Sequence, residues 1–474
     1  MKRIISSIKR VLLTASLVAL ATGASAQALR TGYFMDGGLY SYRLNPAIQP
    51  TRGHFALPVL GGFELSTAGN IGLGNFLYES PTNPNELVTF MHKSVDTKEF
   101  LGKLNEKNIM QMNLDLTMFS VAFTGFGGFN TIDLTMRSDV GMNIPYGMFA
   151  FMKEMSNKNY SFSDLTMQTR EYLDLSIGHS HEVIDGLTVG GRLKFLFGIG
   201  YANVAFDKMD INLSKNSWQI AAKGEANIAL GGVFTHSDEL TNSGKTVIDG
   251  YDDIKAGLQG FGVGADLGVS YDFNHLPALK GLKVSASLTD LGYISWSKTA
   301  RAAIAPEDTY NFDGFTQAGI HSNSGNTIDD QWEDICDDLE DFFALEDKGE
   351  SAEKTGIGAK LNLAAEYEMP FYNKLSAGVL YTHCFDDIFS YNKTTVIINV
   401  SPSKVFDFAV SGTKSDYGTN FGAMLNLHCS GMSLFLGTDC IMSKVNKQFI
   451  PLEDMNANVM FGINIGLKHK SKQK

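Results

Sequence analysis

The most constraining feature of this sequence is an alternation of apolar and polar residues that recurs along most of its 474 positions. Between Leu187 and Ile199 every second residue is apolar apart from one glycine, and Arg192 and Lys194 stand at intervening positions. The same pattern recurs at 261–271 and 459–467. A period of two residues is typical of a β-strand with two different faces and is not typical of a helix. The alternation therefore predicts an all-β chain.

The segment lengths and the connections between them indicate a barrel that crosses a membrane. A tilted membrane-spanning strand needs roughly 9 to 11 residues, and most of the alternating segments reach that length. Short connections such as 125–128 alternate with long ones such as 231–259 and 293–354, an asymmetry typical of outer-membrane barrels. We predict a transmembrane antiparallel β-barrel of 14–16 strands, the higher number applying if 207–214 is a separate strand. The alternative is a large soluble sandwich or propeller, which would turn its polar faces to water.

Residues 1–26 have the pattern of a cleaved export signal. Four basic residues precede an apolar run at 11–21, and the small residues Ala24, Ser25 and Ala26 follow it. Removing this segment takes away the four positive charges, so the formal net charge changes from −12 to −12 − 4 = −16. We therefore expect a protein of the cell outer membrane, in contact with outer-membrane lipid. Such an acidic chain is a poor partner for nucleic acid.

The N-terminal segment at 27–52 precedes the barrel, which we assign to 53–474. It contains Asn45-Pro46-Ala47, and its prolines exclude it from the centre of a sheet. We predict a plug in the lumen or a periplasmic latch, with Asn45, Pro46 and Ala47 as gating candidates; a loose tether is the alternative. Three loop segments of the barrel are predicted to be helical: 85–106, 145–155 and 327–345.

Ionisable residues on the polar faces of the predicted strands are candidates for lining the lumen. They are Asp115, Asp133, Arg137, Asp174, Arg192, Lys194, Asp266, Lys360 and Glu366. Both signs of charge are present. These residues would either line a polar path or pair with one another in a network that stiffens the wall and holds the plug.

The longest predicted outer loop is strongly acidic. Twelve carboxylates fall between Asp329 and Glu353. A helix at 327–343 would place apolar residues on one stripe, and four of them are candidates for docking a partner: Trp332, Ile335, Leu339 and Phe342. The helix is either a lid or docking element, or a solvated acidic loop helix. The run lacks the ligand spacing and the turn-forming glycine of a calcium loop.

The sequence contains no pattern that points to catalysis or to a cofactor. Glycines at 260, 262 and 264 resemble a phosphate-binding loop, but such a loop needs a helix to follow, and here a strand continues. No histidine stands in a metal-ligand spacing, and no nucleophile motif is present. We therefore predict a protein that is not an enzyme, without cofactor or metal.

Of the four cysteines, Cys336 and Cys384 could meet near the outer loops, whereas Cys429 and Cys440 flank one strand; free thiols are the alternative.

Local motifs add a resemblance to a family. They are Asn45-Pro46-Ala47, Phe100-Leu101-Gly-Lys-Leu104 with Asn108, Ile144-Pro145, and Leu288-Thr-Asp290-Leu-Gly292 with Trp296. In this order they resemble the uncharacterised outer-membrane barrels of Bacteroidota that look like distant relatives of the FadL-type transporters. The resemblance implies a barrel of about 14 strands with an N-terminal plug, and passage of hydrophobic compounds. The chain departs from many outer-membrane barrels because it ends in a lysine-rich tail and not on an aromatic residue.

Two functions follow from these expectations. The first is passive uptake or export of small hydrophobic molecules, which predicts an apolar pocket in the lumen. The second is a non-transporting barrel that scaffolds a cell-envelope or secretion assembly by binding another envelope protein through its acidic outer loop. An outer-membrane hydrolase is a weaker third reading, since no catalytic constellation is visible.

Overall fold

A computed structural model describes most of the chain between residues 30 and 467. The described residues are 30–35, 37–56, 58, 60–83, 86–154, 156, 158–213, 217–240, 246–254, 257–304, 309–312, 345–403, 405–429, 431–441 and 456–467. The strands are β1 (Gly53–Ala56), β2 (Phe63–Gly69), β3 (Leu77–Glu79), β4 (Leu87–Thr89), β5 (Lys107–Gly125), β6 (Gly128–Pro145), β7 (Asn159–Ser161), β8 (Leu165–Ile184), β9 (Leu187–Leu213), β10 (Trp218–Ala229), β11 (Val233–Leu240), β12 (Thr246–Asp252), β13 (Gly260–Asp272), β14 (Leu282–Ile304), β15 (Thr309–Phe312), β16 (Leu345–Gly356), β17 (Ala359–Glu368), β18 (Leu375–Phe385), β19 (Tyr391–Val400), β20 (Phe406–Ser415), β21 (Gly418–Cys429), β22 (Met432–Thr438) and β23 (Ala457–Leu467). The α-helices are α1 (Leu73–Phe76), α2 (Thr97–Leu101) and α3 (Tyr146–Glu154), and short 3-10 turns lie at Arg30–Gly32, Ser41–Arg43, Pro277–Leu279 and Asp387–Phe389.

Fourteen strand positions form one closed antiparallel barrel. Nine positions are single strands, and five are each occupied by two strands in line: β1 with β2, β7 with β8, β10 with β13, β14 with β15, and β16 with β17. The barrel closes because β1 and β2 pair with β5 on one side and with the last strand, β23, on the other. Phe63, for example, stands opposite Leu116 on β5 and Phe461 on β23.

The wall has its apolar face outward and its polar face inward. On β13, Phe261 and Leu267 are 52% and 57% exposed, whereas Asp266 between them is completely buried. A soluble sandwich would bury the apolar face and expose the polar one, so this alternative is wrong. A belt of apolar side chains around a polar interior is the arrangement that a membrane requires of a barrel. The predicted all-β transmembrane barrel is confirmed.

The lower end of the predicted strand range is confirmed, and the 16-strand count is wrong. Residues 207–213 do not form a separate strand, because they continue β9, which is 27 residues long. Their partners lie on β10, for example Asp210 opposite Ala221.

Six short connections, among them 125–128 and 429–432, lie at the end of the barrel where β1 begins, and we call this the short-turn end. The opposite, long-loop end also has three short connections, at 213–218, 385–391 and 415–418.

Two outer loops fold into a small cap at the long-loop end. The segment 85–106 contains the short strand β4 and the five-residue helix α2, and 145–155 contains α3. Asp96 caps α2 by accepting hydrogen bonds from the backbone N–H groups of Lys98 and Glu99, both at 2.9 Å. Residues 327–344 of the predicted helix at 327–345 lie outside the described residues. Leu345 is the first residue of β16. None of the described helices has the length and apolar character needed to span a bilayer.

Candidate functional site: the lumen and its N-terminal segment

Residues 30–50 run through the interior of the barrel. Their contacts reach strands on different sides of the wall: Arg30 donates to the Tyr391 hydroxyl at 3.2 Å, Tyr40 donates to Asn464 at 3.1 Å, and Gln49 donates to the Ser180 carbonyl at 3.1 Å. Most of the segment is buried. Because Tyr391 begins β19 at the long-loop end and β1 follows at the short-turn end, the segment crosses the lumen along its length.

The Asn45-Pro46-Ala47 turn sits on the wall formed by β9, β13 and β14. The Asn45 side chain accepts a hydrogen bond from the Ala47 N–H at 2.9 Å and donates to the Val269 carbonyl at 3.3 Å. The wall is shaped to receive this turn by two glycines that face each other across β9 and β13, Gly190 and Gly268. A Cβ at Gly190 would collide with the Pro46 carbonyl, and one at Gly268 with Asn45 Oδ1. We call this pair of glycines the glycine notch.

Leu44, the residue before this turn, is held by two strands of the wall, β14 and β17. The Leu44 carbonyl accepts hydrogen bonds from Ser287 Oγ at 2.6 Å and from Asn362 Nδ2 at 3.0 Å. The three gating candidates therefore lie against the lumen wall, on strands that the alternation alone could not have related to them. Their role in gating remains a prediction.

Eight of the nine predicted lumen residues meet in one buried ion-pair network, which also contains Arg43 and Asp290. The pairs are Arg43–Asp133, Arg137–Asp115, Arg137–Asp174, Arg137–Asp290, Arg192–Asp133, Arg192–Asp266, Lys194–Asp174, Lys194–Asp266, Lys194–Asp290 and Lys360–Asp290. The ninth residue, Glu366, is half-buried and lies on β17 nearer the short-turn end. The network joins five cationic and five anionic side chains, so its formal charge is zero. Such mutual pairing corresponds to the stiffening network and not to an open polar path.

Asp290 is the hub that the sequence analysis missed. It contacts Arg137 at 2.9 Å and Lys360 at 2.8 Å, and it also contacts Lys194. The register between β13 and β14 shifts between Ala265 and Leu267, and Asp290 has a positive φ of 57°. This bulge turns two consecutive residues, Thr289 and Asp290, inward. A strict period of two places them on opposite faces, which is why Asp290 was not among the candidates.

Arg43 was missed for a different reason. It belongs to the N-terminal segment, which has no strand period, yet its guanidinium lies 3.1 Å from Asp133 Oδ1. It also stacks over the Tyr40 ring, 4.2 Å from the ring centroid. Arg43 thus connects the segment to the wall by an ion pair, and nothing in the sequence pattern could have paired it with Asp133.

The lumen contains cavities of different character. One has ≈ 970 Å³ free of protein atoms, counting the part open to solvent, and its lining includes Arg43, Asp115, Arg137, Arg170 and Asp290. A smaller cavity of ≈ 310 Å³ lies between the N-terminal segment and β21–β23. Its lining is mostly apolar and includes Leu39, Tyr40, Met424, Phe435 and Met460. The cavity of ≈ 970 Å³ is therefore polar, unlike the apolar lumen pocket expected of a hydrophobic channel, and the apolar space lies in the smaller cavity beside the N-terminal segment.

The cap over the long-loop end is held by an aromatic cluster. Phe90 and Phe100 stack at 4.4 Å between ring centroids, and Phe149 of α3 packs edge-on against Phe100 at 6.2 Å. Lys153 of α3 donates to the Phe90 carbonyl at 2.6 Å, which links the two loops. The four docking candidates Trp332, Ile335, Leu339 and Phe342 lie outside the described residues.

The described residues show no cluster of three or more His, Cys, Asp or Glu side chains arranged to hold a metal ion. Among the described cysteines, Cys384 and Cys429 are free thiols. Cys336 lies outside the described residues.

Fold and lumen together define a transmembrane β-barrel whose interior is occupied by its own N-terminal segment. The chain belongs to the family of unknown function DUF5723, whose model matches residues 46–439. None of the curated proteins is similar to it in sequence. The expected membership in a family of unknown function is confirmed, whereas the relation to FadL-type transporters and the bacterial group remain predictions.

Several solved structures share the barrel fold. The toluene transporter TbuX of Ralstonia pickettii is 9% identical, with 91% of this chain and 93% of that chain covered and a TM-score of 0.41. The toluene transporter TodX of Pseudomonas putida is 9% identical over 94% and 97% of the two chains, with a TM-score of 0.37. The monoaromatic hydrocarbon channel CymD is 9% identical over 94% of each chain, with a TM-score of 0.37. Sequence identity and TM-scores this low do not assign the function of these transporters to this chain.

Proposed function

We propose that this protein is an outer-membrane channel for small hydrophobic molecules that is closed by its own N-terminal segment. The observation that carries the proposal is the way the lumen is filled. Barrels of about eight strands are just narrow enough for wall side chains to fill, whereas wider barrels leave room inside. In this 14-strand barrel the room is taken by residues 30–50, which are not part of the wall. Moving that segment would open a passage without unfolding the barrel.

The apolar cavity beside the segment supports a hydrophobic cargo. It lies at the seam between Leu39 and Tyr40 on the segment and Met424 and Phe435 on the wall. A molecule without charges would gain by leaving water at this seam. It would not compete for the ion pairs of the polar cavity, which are already satisfied by one another. The class of cargo also follows the resemblance of the sequence motifs to FadL-type barrels.

The test is to fix the segment to the wall by a disulfide. Thr31 Oγ1 and Ser411 Oγ are 2.7 Å apart, so the double variant Thr31→Cys/Ser411→Cys places two sulfur atoms within bonding reach across the seam. The matched control is Thr395→Cys/Thr413→Cys, whose hydroxyls are 2.9 Å apart but both belong to the wall. Both pairs are made in a background in which the four native cysteines are serine.

Uptake of the dye N-phenyl-1-naphthylamine by cells that make each variant measures passage across the outer membrane. We expect oxidation to slow uptake in the segment-to-wall variant, a reductant to restore it, and the wall-to-wall control to be unaffected. Equal uptake by the oxidised and reduced segment-to-wall variant, or no uptake above that of cells lacking the protein, would reject the channel.

The alternative is a non-transporting scaffold, and the balanced ion-pair network favours it because it rigidifies a closed barrel. Its docking surface would be the acidic loop with Trp332, Ile335, Leu339 and Phe342. Because β16 begins at Leu345 and pairs with β14, a deletion that tests docking must stop before it. Deleting 329–344 should abolish recovery of a co-purifying envelope protein, and undiminished recovery would reject the scaffold.

A further inference from the structure

Lys393 differs from the cations of the ion-pair network. It lies on β19, two residues from Tyr391, and its ammonium stands over the Tyr391 ring at 4.4 Å from the ring centroid. Arg192, Lys194 and Lys360 lie 2.8, 3.0 and 2.8 Å from carboxylate oxygens. Within the described part of the chain, Lys393 forms no hydrogen bond and no ion pair. It therefore brings a positive charge into the lumen that no described carboxylate neutralises by contact.

Lys393 lines a cavity at the long-loop end of the lumen that adjoins the polar cavity, since Gln111, Asn113 and Tyr391 line both. The cavity has ≈ 560 Å³ free of protein atoms, counting the part open to solvent. Its lining is rich in hydroxyl and amide groups, including those of Ser66, Asn113, Thr413, Ser415, Asn420 and Asn458. The charged side chains in the lining are Lys393, Arg30 and Asp439, so the cavity combines two cations and one carboxylate with many neutral hydrogen-bonding groups.

The carboxylate in this lining, that of Asp439, is engaged elsewhere. It accepts hydrogen bonds from the backbone N–H groups of Arg30 and Thr31 at 3.0 and 2.9 Å, and from the Thr31 hydroxyl at 2.6 Å. These three bonds hold the start of the N-terminal segment. Asp439 is thus a docking point for that segment, and it makes no ion-pair contact with Lys393.

We propose that this cavity binds a small hydrophilic anion, a carboxylate or a halide, against the ammonium of Lys393. Lys393 is half-buried, and no described carboxylate is in contact with its ammonium, so an anion that enters the cavity is attracted by this side chain. Hydroxyl and amide N–H groups donate to an anion, so the lining can complete its hydrogen bonds. Polar side chains outnumber apolar ones in this lining, which favours a hydrophilic ligand over a hydrocarbon.

The site goes beyond the proposed channel function, because binding needs neither transport nor movement of the N-terminal segment. If no anion binds, the disulfide experiment can still support the channel. If the disulfide experiment rejects the channel, anion binding can still be measured. The two ideas are therefore tested separately.

The experiment uses the full-length barrel in detergent, titrated calorimetrically with sodium acetate and sodium bromide in a buffer free of other small anions. Bromide-soaked crystals locate the ion by anomalous scattering. We expect saturable binding and an anomalous peak within hydrogen-bonding distance of Lys393 Nζ. Binding of acetate alone would identify a carboxylate site, and binding of both salts a general small-anion site; either result supports the proposal.

Lys393→Met removes the charge and keeps an unbranched side chain, so it should weaken binding at least about tenfold. Lys393→Gln serves as a second variant if the first does not assemble, and heat-modifiable gel mobility reports folding of both. The matched control is Lys414→Met, since Lys414 stands on β20 opposite Thr394, the residue after Lys393, and is exposed on the outer face. No saturable binding of either salt, a bromide peak away from Lys393, or wild-type affinity in a folded Lys393 variant would overturn the proposal.

Discussion

The substitution Asp290→Asn tests whether the ion-pair network is buried and dry. Asparagine keeps the shape of the side chain but removes the negative charge that faces Arg137, Lys194 and Lys360. The network then has five cations and four anions, and its formal charge rises from zero to +1. Removing one partner of a buried ion pair costs about 3–5 kcal/mol because the other charge stays buried without compensation. We expect Asp290→Asn to lower the free energy of unfolding by an amount in that range.

The measurement is equilibrium unfolding of the barrel by urea in lysolipid micelles, read by heat-modifiable gel mobility and by tryptophan fluorescence. The matched control is Asp207→Asn, which breaks an ion pair with Lys223 whose side chains are 60% and 58% exposed. Exposed pairs contribute about 0–1 kcal/mol, and salt screens them. If Asp290→Asn costs no more than Asp207→Asn, the lumen is open to water, and our account of it as a closed, mutually paired interior is wrong.

Three further predictions concern the notch, the cap and the lipid face. Gly268→Val should displace the Asn45-Pro46 turn and speed maleimide labelling of Ala47→Cys. Gly412→Val should not, because its new Cβ would meet only Phe421 at 3.9 Å. Equal labelling rates in the two variants would refute the role of the glycine notch. Phe100→Ala should cost the cap about 3–5 kcal/mol and expose 70–106 to protease, while Met91→Ala, at a half-exposed position, should leave cleavage unchanged. Val396→Arg, at an outward position in the middle of β19, should destabilise the inserted barrel by about 2–4 kcal/mol, against about 0–1 for Asn392→Arg at the strand end; similar effects at both positions would argue that this face does not meet lipid.

The wall was predictable from sequence because alternate residues of a membrane-barrel strand face lipid and the lumen, and their polarity differs accordingly. The stretch from Leu187 to Ile199 shows its polar and apolar faces directly, and both Arg192 and Lys194 point inward as the period requires. The count failed at 207–213, where the polar residues of an outer extension of β9 lack the apolar face that marks a span. Length beyond the membrane is not limited by the bilayer, so hydropathy does not record it.

The lumen was only partly predictable, because its chemistry depends on register. Alternation identified eight members of the ion-pair network but not who pairs with whom, since the partners lie on different strands. A single bulge at Asp290 was enough to hide the hub. The path of the N-terminal segment was hidden too, because the complementarity of Asn45 to Gly268 involves residues 223 positions apart and appears only once the barrel is closed.

The charge balance of the network links the wall to the segment that fills it. Of the five cations, Arg43 alone comes from the N-terminal segment, and it lies against Asp133, which Arg192 also contacts. Withdrawing the segment would leave four cations facing five carboxylates, a formal charge of −1, but Asp133 would keep one partner at 2.8 Å. The wall therefore loses one ion pair and not its cohesion, which is the condition for a segment that can leave a lumen and return to it. Arg43→Met should loosen the segment, as read by faster labelling of Ala47→Cys, while the urea midpoint of the barrel changes little; a large drop in that midpoint would show that the segment is an integral part of the wall's stability.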